Sequence, residues 1–262
     1  MMRDKLKDED YFRRYTDLSA SLLEKNINKL QSNEIREDRI GAVQYGSVIM
    51  TAVKLITAHY SSGSGIENLS MEIRKVIRYM ERYWRPEQTK VKAKVGKKFE
   101  LWDQYRVASY EYFLHILSLA YLLNVPDEEF QVLVDIIDRD NISDNLYEFI
   151  IKARFPQRGQ NREEEYSQEQ SVILKVYKSL RAATQQEDKK EAAKLVKRFL
   201  EKSFYHKHAN FYNAHNSRHE IYYGYWSFES AAVASIMGLD DSGFRENQYY
   251  PKDLGNIALK GA

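Results

Sequence analysis

The 262-residue sequence contains no cysteine, only four prolines and only 11 glycines. Without cysteine, the chain has no disulfide framework, no thiolate metal site and no thiol nucleophile. The scarce prolines and glycines are the residues that most often interrupt a helix, and here they punctuate a helical pattern. The sequence therefore favours a helical protein that needs no covalent cross-link.

The sequence also lacks a long apolar run. A membrane helix needs about 18 or more apolar residues, and no uncharged run approaches that length. The most apolar stretch, Tyr112 to Val125, spans 14 residues and includes His115 and Asn124. Seven of the first ten residues are charged, and the segment carries no apolar signal sequence. We therefore expect a cytoplasmic protein with no membrane partner.

Charge is abundant but unevenly distributed. Apolar residues make up 43% of the chain and charged residues 30%, which is typical of a globular protein and not of a disordered one. The net charge is only +2, yet residues 71–100 contain ten Lys/Arg against four Asp/Glu, and residues 127–148 contain eight Asp/Glu against Arg139 alone. Such segregated charge indicates a partner surface more than general nucleic-acid binding.

Apolar residues recur at three- and four-residue steps, which is the pattern of one helix face. Pro126 followed by three acidic residues predicts a helix start, because proline fits the first turn and acids there complement the helix dipole. We predict an all-α fold: a multi-helix bundle of mostly antiparallel helix pairs, with N-terminal and C-terminal helical subdomains. The cleanest stripe comprises Ile66, Leu69, Ile73, Val76, Met80 and Tyr83.

The middle of the chain leaves one choice open. Residues Lys90 to Lys98 form a basic connector, for which we expect either a short hairpin or an exposed loop. A long helix is expected after it, apolar nearly all round from Tyr112 onward and therefore buried at the centre. One stripe of this expected helix is Trp102, Tyr105, Tyr112, Ile116, Leu119 and Leu123.

A loop or hinge is predicted from Phe155 to Glu165, where Pro156 and Gly159 precede three consecutive glutamates. We expect the domain boundary here. It separates an N-terminal helical region, residues 1–155, from a C-terminal helical region, residues 156–262.

The histidines offer one alternative function. Four of the six lie close together, at His206, His208, His215 and His219. His215 and His219 are four residues apart, a spacing at which one helical face can hold a zinc ion, so a metal-dependent helical enzyme is one alternative. The pattern His-Glu-x-x-His is absent, since Asn216 stands where the glutamate would be. We favour the interpretation that these histidines bind no metal ion, and we predict no catalytic residue, no metal and no cofactor.

The basic stretch between residues 74 and 98 offers a second alternative. Its arginines and lysines could follow a phosphate backbone, as in a helical nucleic-acid-binding module. The whole-chain charge of +2 is far below that of typical basic nucleic-acid binders. We therefore favour a solvated helix face and basic loop, and expect no direct nucleic-acid partner.

Two acidic groups are candidates for binding a basic partner. Acidic side chains can imitate a nucleic-acid backbone and cover a basic active-site cleft. We expect the first group to be the main partner-binding surface and the second to be secondary. The first group is Asp135, Asp138, Asp140 and Asp144, and the second is Glu163, Glu164 and Glu165.

The C-terminal part carries the most distinctive sequence. The run from Tyr225 to Ala234 reads as a helix of small residues, and Gly238 follows in the position of a C-terminal cap. The alanines permit close approach of a neighbouring helix. The residues that stand out are Tyr225, Trp226, Phe228, Glu229, Asp240, Asp241, Tyr250, Pro251 and Asp253.

This segment resembles the C-terminal motif of the PoNi family, the immunity proteins of polymorphic nuclease (PoNe-type DNase) toxins, and residues 2–12 resemble the start of that family's N-terminal region. The resemblance implies an α-helical antitoxin in a bacterial cytoplasm that binds a cognate DNase toxin and is not an enzyme. The motif residues are expected to be scaffold, because contacts with a toxin must vary with the toxin. The sequence leaves the oligomeric state open.

Overall fold

The computed structural model describes residues 1–159, 171–207, 209 and 211–255. Helices dominate these residues, as the sequence predicts, and one two-stranded sheet accompanies them. The strands are β1 (Lys90–Val95) and β2 (Lys98–Tyr105). The helices are α1 (Glu9–Gln31), α2 (Ile40–Ala42), α3 (Met50–Ser61), α4 (Ile66–Tyr83), α5 (Pro86–Thr89), α6 (Val107–Leu122), α7 (Asp127–Arg139), α8 (Asn145–Arg154), α9 (Ser171–Ala183), α10 (Lys189–Lys202) and α11 (Phe228–Met237).

The chain divides into two compact units. Unit 1 comprises Met1–Lys90 together with Asn213–Gly224, and unit 2 comprises Val91–Tyr212 together with Tyr225–Ala262. The division of the sequence into residues 1–155 and 156–262 stays a prediction about sequence regions, because the units are defined by contacts and each combines two stretches of chain.

Unit 1 is built on amphipathic helices. Asp8 caps α1 by accepting a hydrogen bond from the backbone N–H of Tyr11 at 2.8 Å. Helix α4 buries Leu69, Ile73, Val76, Met80 and Tyr83, so the predicted stripe is confirmed over these five positions. The returning segment is fixed through Tyr222, whose backbone O and N bond the Tyr11 hydroxyl, both at 2.9 Å.

A continuous helical run, Glu37–Ser61, joins α2 to α3 through a π-helical segment at Val43–Ile49. Within the described part of the chain, it is the helix long and apolar enough to cross a membrane by length and composition. Its residues Val48, Ile49, Val53 and Ile56 are buried inside unit 1. A core helix meets the same criteria, and this burial is why we interpret the run as one.

Unit 2 is organised around α6. This helix buries residues on every side, including Tyr112, Phe113, Ile116 and Leu119, which confirms the predicted central helix from Tyr112 onward. Helix α11 packs on α6, and α9 packs on α10. Gly238 ends α11 with φ +59°, the left-handed conformation that glycine adopts without steric cost.

The connector after α5 is a hairpin, one of the two predicted possibilities. Gly96 adopts φ +63° in the tight turn between β1 and β2. The structure corrects the expected long helix at its start: Trp102 and Tyr105 lie in β2, and α6 begins only at Val107. Tyr105 is held in the strand by the core, because its hydroxyl donates to buried Asp140 at 2.7 Å.

Candidate protein-binding surfaces

Helix α7 turns acidic and polar side chains to solvent along one face. Glu128, Gln131, Asp135 and Asp138 are all exposed and follow one another at three- and four-residue steps, so they share a face. We call these four residues the α7 acidic face. The opposite side of the helix is buried through Phe130, Leu133, Val134, Ile136 and Ile137.

The charges on this face differ in how far they are neutralised. Asp138 accepts two hydrogen bonds from Arg158, at 2.9 and 2.6 Å, and Arg158 also bonds Glu148 at 3.0 Å. Asp135 accepts from the neutral amide of Gln131 at 2.7 Å. Among the described residues, neither Glu128 nor Asp135 forms an ion pair. The negative charge that a partner meets on α7 therefore comes mainly from these two residues.

Asp140 and Asp144, expected from the sequence to belong to the partner-binding group, are buried, each only 1% exposed. Asp140 accepts from Tyr105 and pairs with Arg139 at 2.8 Å. Asp144 caps α8 by accepting from the backbone N–H groups of Leu146 and Tyr147, at 2.9 and 2.8 Å. Both carboxylates thus hold elements together inside unit 2, and a binding role stays a prediction for Asp135 and Asp138.

Asp144 also anchors a buried charge. Its second carboxylate oxygen accepts from the guanidinium of Arg181, which is 9% exposed and which also donates to the Tyr110 hydroxyl at 3.0 Å. The ring of Tyr110 stacks on that of Tyr147 at 4.9 Å. This network joins α6, α8 and α9. The other predicted acidic group, Glu163, Glu164 and Glu165, lies outside the described residues.

The first half of the C-terminal motif is packed inside unit 2. Phe228 and Glu229 open α11 and are buried, and the ring of Phe228 meets that of His115 edge-on at 4.5 Å. Tyr225 is buried beside the ring of Tyr205 at 5.0 Å, while Trp226 is half-buried. These placements support the expected scaffold role.

The second half of the motif folds into turns. Tyr250 and Pro251 are buried, and the Tyr250 ring meets that of Phe244 at 5.0 Å. Asp241 pairs with Arg245 at 2.7 Å. Asp240 is exposed and accepts from the backbone N–H of Ser242, which lowers the pKa of its carboxyl. Asp253, also exposed, completes the motif.

Glu229 is a carboxyl group held out of water at the start of α11. Burial raises its pKa to about 7, against a weaker opposing effect of hydrogen bonds from its own backbone N–H and from Ser227. The folded state therefore favours the protonated form of the Glu229 carboxyl over the ionised form.

We expect this carboxyl to make stability fall as pH rises. The pKa of about 7 in the fold lies above the ordinary value of 4.5, so the stabilising contribution is complete below 4.5 and lost as pH passes 7. Glu229→Gln keeps the shape and removes the titration. Urea unfolding is measured from pH 4.5 to 8. Over this range the free energy of unfolding of the variant should rise relative to that of the natural chain, by up to about 1.4 kcal/mol per unit of pKa difference between the folded and unfolded states. Parallel pH profiles for the two chains would contradict the shift.

The predicted histidine pair does not share a regular helix. His215 lies in a short 3-10 turn, Ala214–Asn216, and His219 lies in a bend after it, where its Nε2 accepts from Arg218 at 3.2 Å. His206 belongs to unit 2, and His208 is outside the described residues. Among the residues described, no group of three or more His, Asp or Glu side chains could hold a metal ion.

The basic stretch falls on two kinds of element. Arg74, Arg78 and Arg82 lie at four-residue steps on the exposed side of α4 in unit 1. The lysines Lys92, Lys94, Lys97 and Lys98 are exposed on the hairpin in unit 2. The basic stretch is therefore divided between the two units.

Comparison with known proteins identifies the family. One family model, described as PoNe immunity protein (PoNi), N-terminal, matches residues 3–135, and a second, PoNe immunity proteins (PoNi), C-terminal, matches residues 142–254. The chain is thus an immunity protein by class, with a helical fold. It belongs to the PoNe immunity protein family, PoNi, whose name implies immunity to a nuclease toxin. The resemblance seen in the C-terminal motif is confirmed.

One solved structure shares the fold across the whole chain. It is protein PA2201 from Pseudomonas aeruginosa, with a TM-score of 0.57 and 13% sequence identity, and the match covers 100% of each chain. At this identity the likeness concerns the fold alone. The comparison with curated proteins gives no match.

Proposed function

We propose that this chain acts in the bacterial cytoplasm by binding its cognate DNase toxin and keeping DNA out of the toxin's active-site cleft. Membership of the immunity family supports the nuclease partner. The observation that carries the mode of inhibition is the α7 acidic face, where Glu128 and Asp135 remain exposed without ion pairs among the described residues.

The chemistry of a DNA-binding cleft explains why such a face suits it. A DNase holds phosphates with basic side chains, and carboxylates on a rigid helix present a similar array of negative charge. Helix α7 is held firmly: Arg154 binds Asp127 at 2.5 Å near its start, and Arg158 binds Asp138 near its end. A surface fixed before binding loses less conformational entropy when the complex forms.

The first experiment is a growth assay. The DNase encoded next to this gene is expressed with and without this protein, and growth and intact chromosomal DNA are recorded. We expect full rescue. The purified pair is then tested for complex formation and for cleavage of plasmid DNA in vitro. Continued DNA cleavage by a toxin that is bound to this protein would contradict inhibition at the cleft.

Charge reversal on α7 tests the mode of binding. Glu128→Lys with Asp135→Lys should weaken toxin binding about tenfold or more, chiefly by slowing association, and should reduce its salt dependence. The matched control is Asp17→Lys with Glu24→Lys, because both residues are exposed on α1 and also lie seven positions apart. Surface plasmon resonance gives both rates. Equal association rates for the two double variants would show that the α7 acidic face is not part of the interface.

A further inference from the structure

The hairpin exposes large apolar side chains that no described residue covers. Phe99 is 72% exposed, Val95 49%, Trp102 39% and Leu101 37%. All four lie within eight residues of chain on a two-stranded sheet. Single exposed apolar residues are normal on a protein, but neighbouring ones on one face mark an interaction site. Phe99 and Leu101 share a face, because they lie two positions apart in β2.

The base of the hairpin is fixed to the core of unit 2. Val91 is buried in β1 and Tyr105 in β2. The Tyr105 ring lies 5.6 Å from that of Phe113, and Asn141 donates a hydrogen bond to Asp103. An isolated two-stranded hairpin is only marginally stable in water, so these contacts hold the exposed part in place. The far end is therefore presented on a fixed base.

Lysines and apolar residues share one face of the hairpin. Side chains alternate between faces along each strand, so Lys92 and Lys94 lie together, as do Phe99 and Leu101. The two-residue turn at residues 96–97 sets Val95 opposite Lys98 and therefore Lys94 opposite Phe99. Among the described residues, neither Lys92 nor Lys94 has an ion pair. We call Lys92, Lys94, Phe99 and Leu101 the hairpin face.

We propose that the hairpin face docks on the cognate toxin, at a toxin surface where carboxylates surround an apolar patch. This inference rests on the proposed function and names a second part of the same interface. A toxin surface of that chemistry would neutralise the lysines and bury Phe99. This toxin surface lies outside the toxin's basic DNA cleft, because the basic cleft would repel Lys92 and Lys94.

The position of the hairpin in unit 2 supports a single partner for both surfaces. Tyr105 and Asp103, at the end of β2, bond Asp140 and Asn141, which directly follow α7. The base of the hairpin thus bonds the residues that follow α7, and the hairpin face and the α7 acidic face carry opposite charge. A partner that contacts both is held in one orientation, since rotating it would bring like charges together.

A protein suits this face better than a nucleic acid does. Asp103 shares the face of Phe99 and Leu101, and Glu100 lies on the opposite face of the same strand, so phosphates would meet a carboxylate on either side of the hairpin. The described sheet has only two strands, so its outer edges can pair with an extended segment of a protein partner.

Two variants of the hairpin face test the proposal. Phe99→Ser and Lys92→Glu with Lys94→Glu are purified, and affinity for the nuclease domain encoded beside this gene is measured by calorimetry. We expect each to bind at least about tenfold more weakly than the natural chain, as for an interface anchor. The matched controls on α9 are Leu174→Ser, which replaces an apolar residue 37% exposed, and Lys175→Glu with Lys178→Glu, both exposed. They should bind normally.

The outcomes separate this inference from the function on which it rests. If the natural chain does not bind the nuclease domain, the proposed function fails. If the natural chain binds and both hairpin variants bind within twofold of it, with unchanged melting temperature, the hairpin face is not part of the interface. The proposal is also overturned if the variants change only self-association in light scattering, or only salt-sensitive binding to a DNA duplex.

Discussion

Replacing Arg181 by methionine should lower the free energy of unfolding by about 3–5 kcal/mol. Methionine fills a similar volume but leaves the carboxylate of Asp144, which is only 1% exposed, without its cation. The carboxylate keeps its hydrogen bonds from the backbone N–H groups of Leu146 and Tyr147, but a buried charge that loses its cation is far more costly than an exposed one. Tyr110 also loses the hydrogen bond that Arg181 donates at 3.0 Å. Urea unfolding of the purified variant measures the loss.

Two further variants show whether the loss comes from the uncompensated charge. Lys194→Met breaks an exposed ion pair in which the side chains of Lys194 and Glu191 are 71% and 52% exposed, and it should lower the free energy of unfolding far less than Arg181→Met does. Asp144→Asn keeps an oxygen that can cap α8 and removes the charge, so the double variant with Arg181→Met should recover part of the lost stability. If the Arg181→Met variant is as stable as the Lys194→Met variant, the buried pair of Arg181 and Asp144 contributes nothing to the free energy of unfolding.

The helices were predictable because their causes are local. The apolar residues of α4 recur at three- and four-residue steps. Pro126 and the acidic residues after it predict a helix start, and α7 begins at Asp127. Gly238 ends α11 in the left-handed conformation that the sequence predicts. Periodicity, capping and dipole effects all act within a turn or two of helix. They can therefore be recognised from neighbouring residues in the sequence alone.

The start of α6 was predicted wrongly because a three-residue spacing fits more than one structure. Trp102 and Tyr105 continue the helical stripe of Tyr112 and Ile116 on paper, yet they lie in β2. What holds Tyr105 in a strand is Asp140, 35 positions away in sequence. A contact over that distance leaves no trace in local periodicity.

The acidic group shows the same limit at the candidate site. Counting charges between residues 127 and 148 located an acidic region, but a count does not separate exposed Asp135 from buried Asp144. The burial of Asp144 depends on Arg181, 37 positions away. One local signal does point to the role of Asp144, since an aspartate directly before a helix is a common cap.

Replacing Phe228 by alanine should lower the free energy of unfolding by about 3–5 kcal/mol. The side chain is 0% exposed and packs edge-on against His115 of α6 at 4.5 Å, where α11 meets the central helix. Alanine loses the burial of the ring and leaves a cavity between two helices. Thermal and urea unfolding measure the effect, and Leu174→Ala, at a site 37% exposed, should change stability by less than about 0.5 kcal/mol.

The same position tests whether the family motif is scaffold or toxin contact. A side chain with no exposed surface cannot touch a toxin in the folded protein, so its effect on immunity must come through folding. Phe228→Leu should cost less stability than alanine because it leaves a smaller cavity, and at low temperature the folded variant should bind the nuclease with natural affinity. At growth temperature, Phe228→Ala should lose protection in step with its unfolded fraction. Loss of binding by a fully folded Phe228→Leu variant would instead require α11 to rearrange in the complex and bring the motif to the toxin.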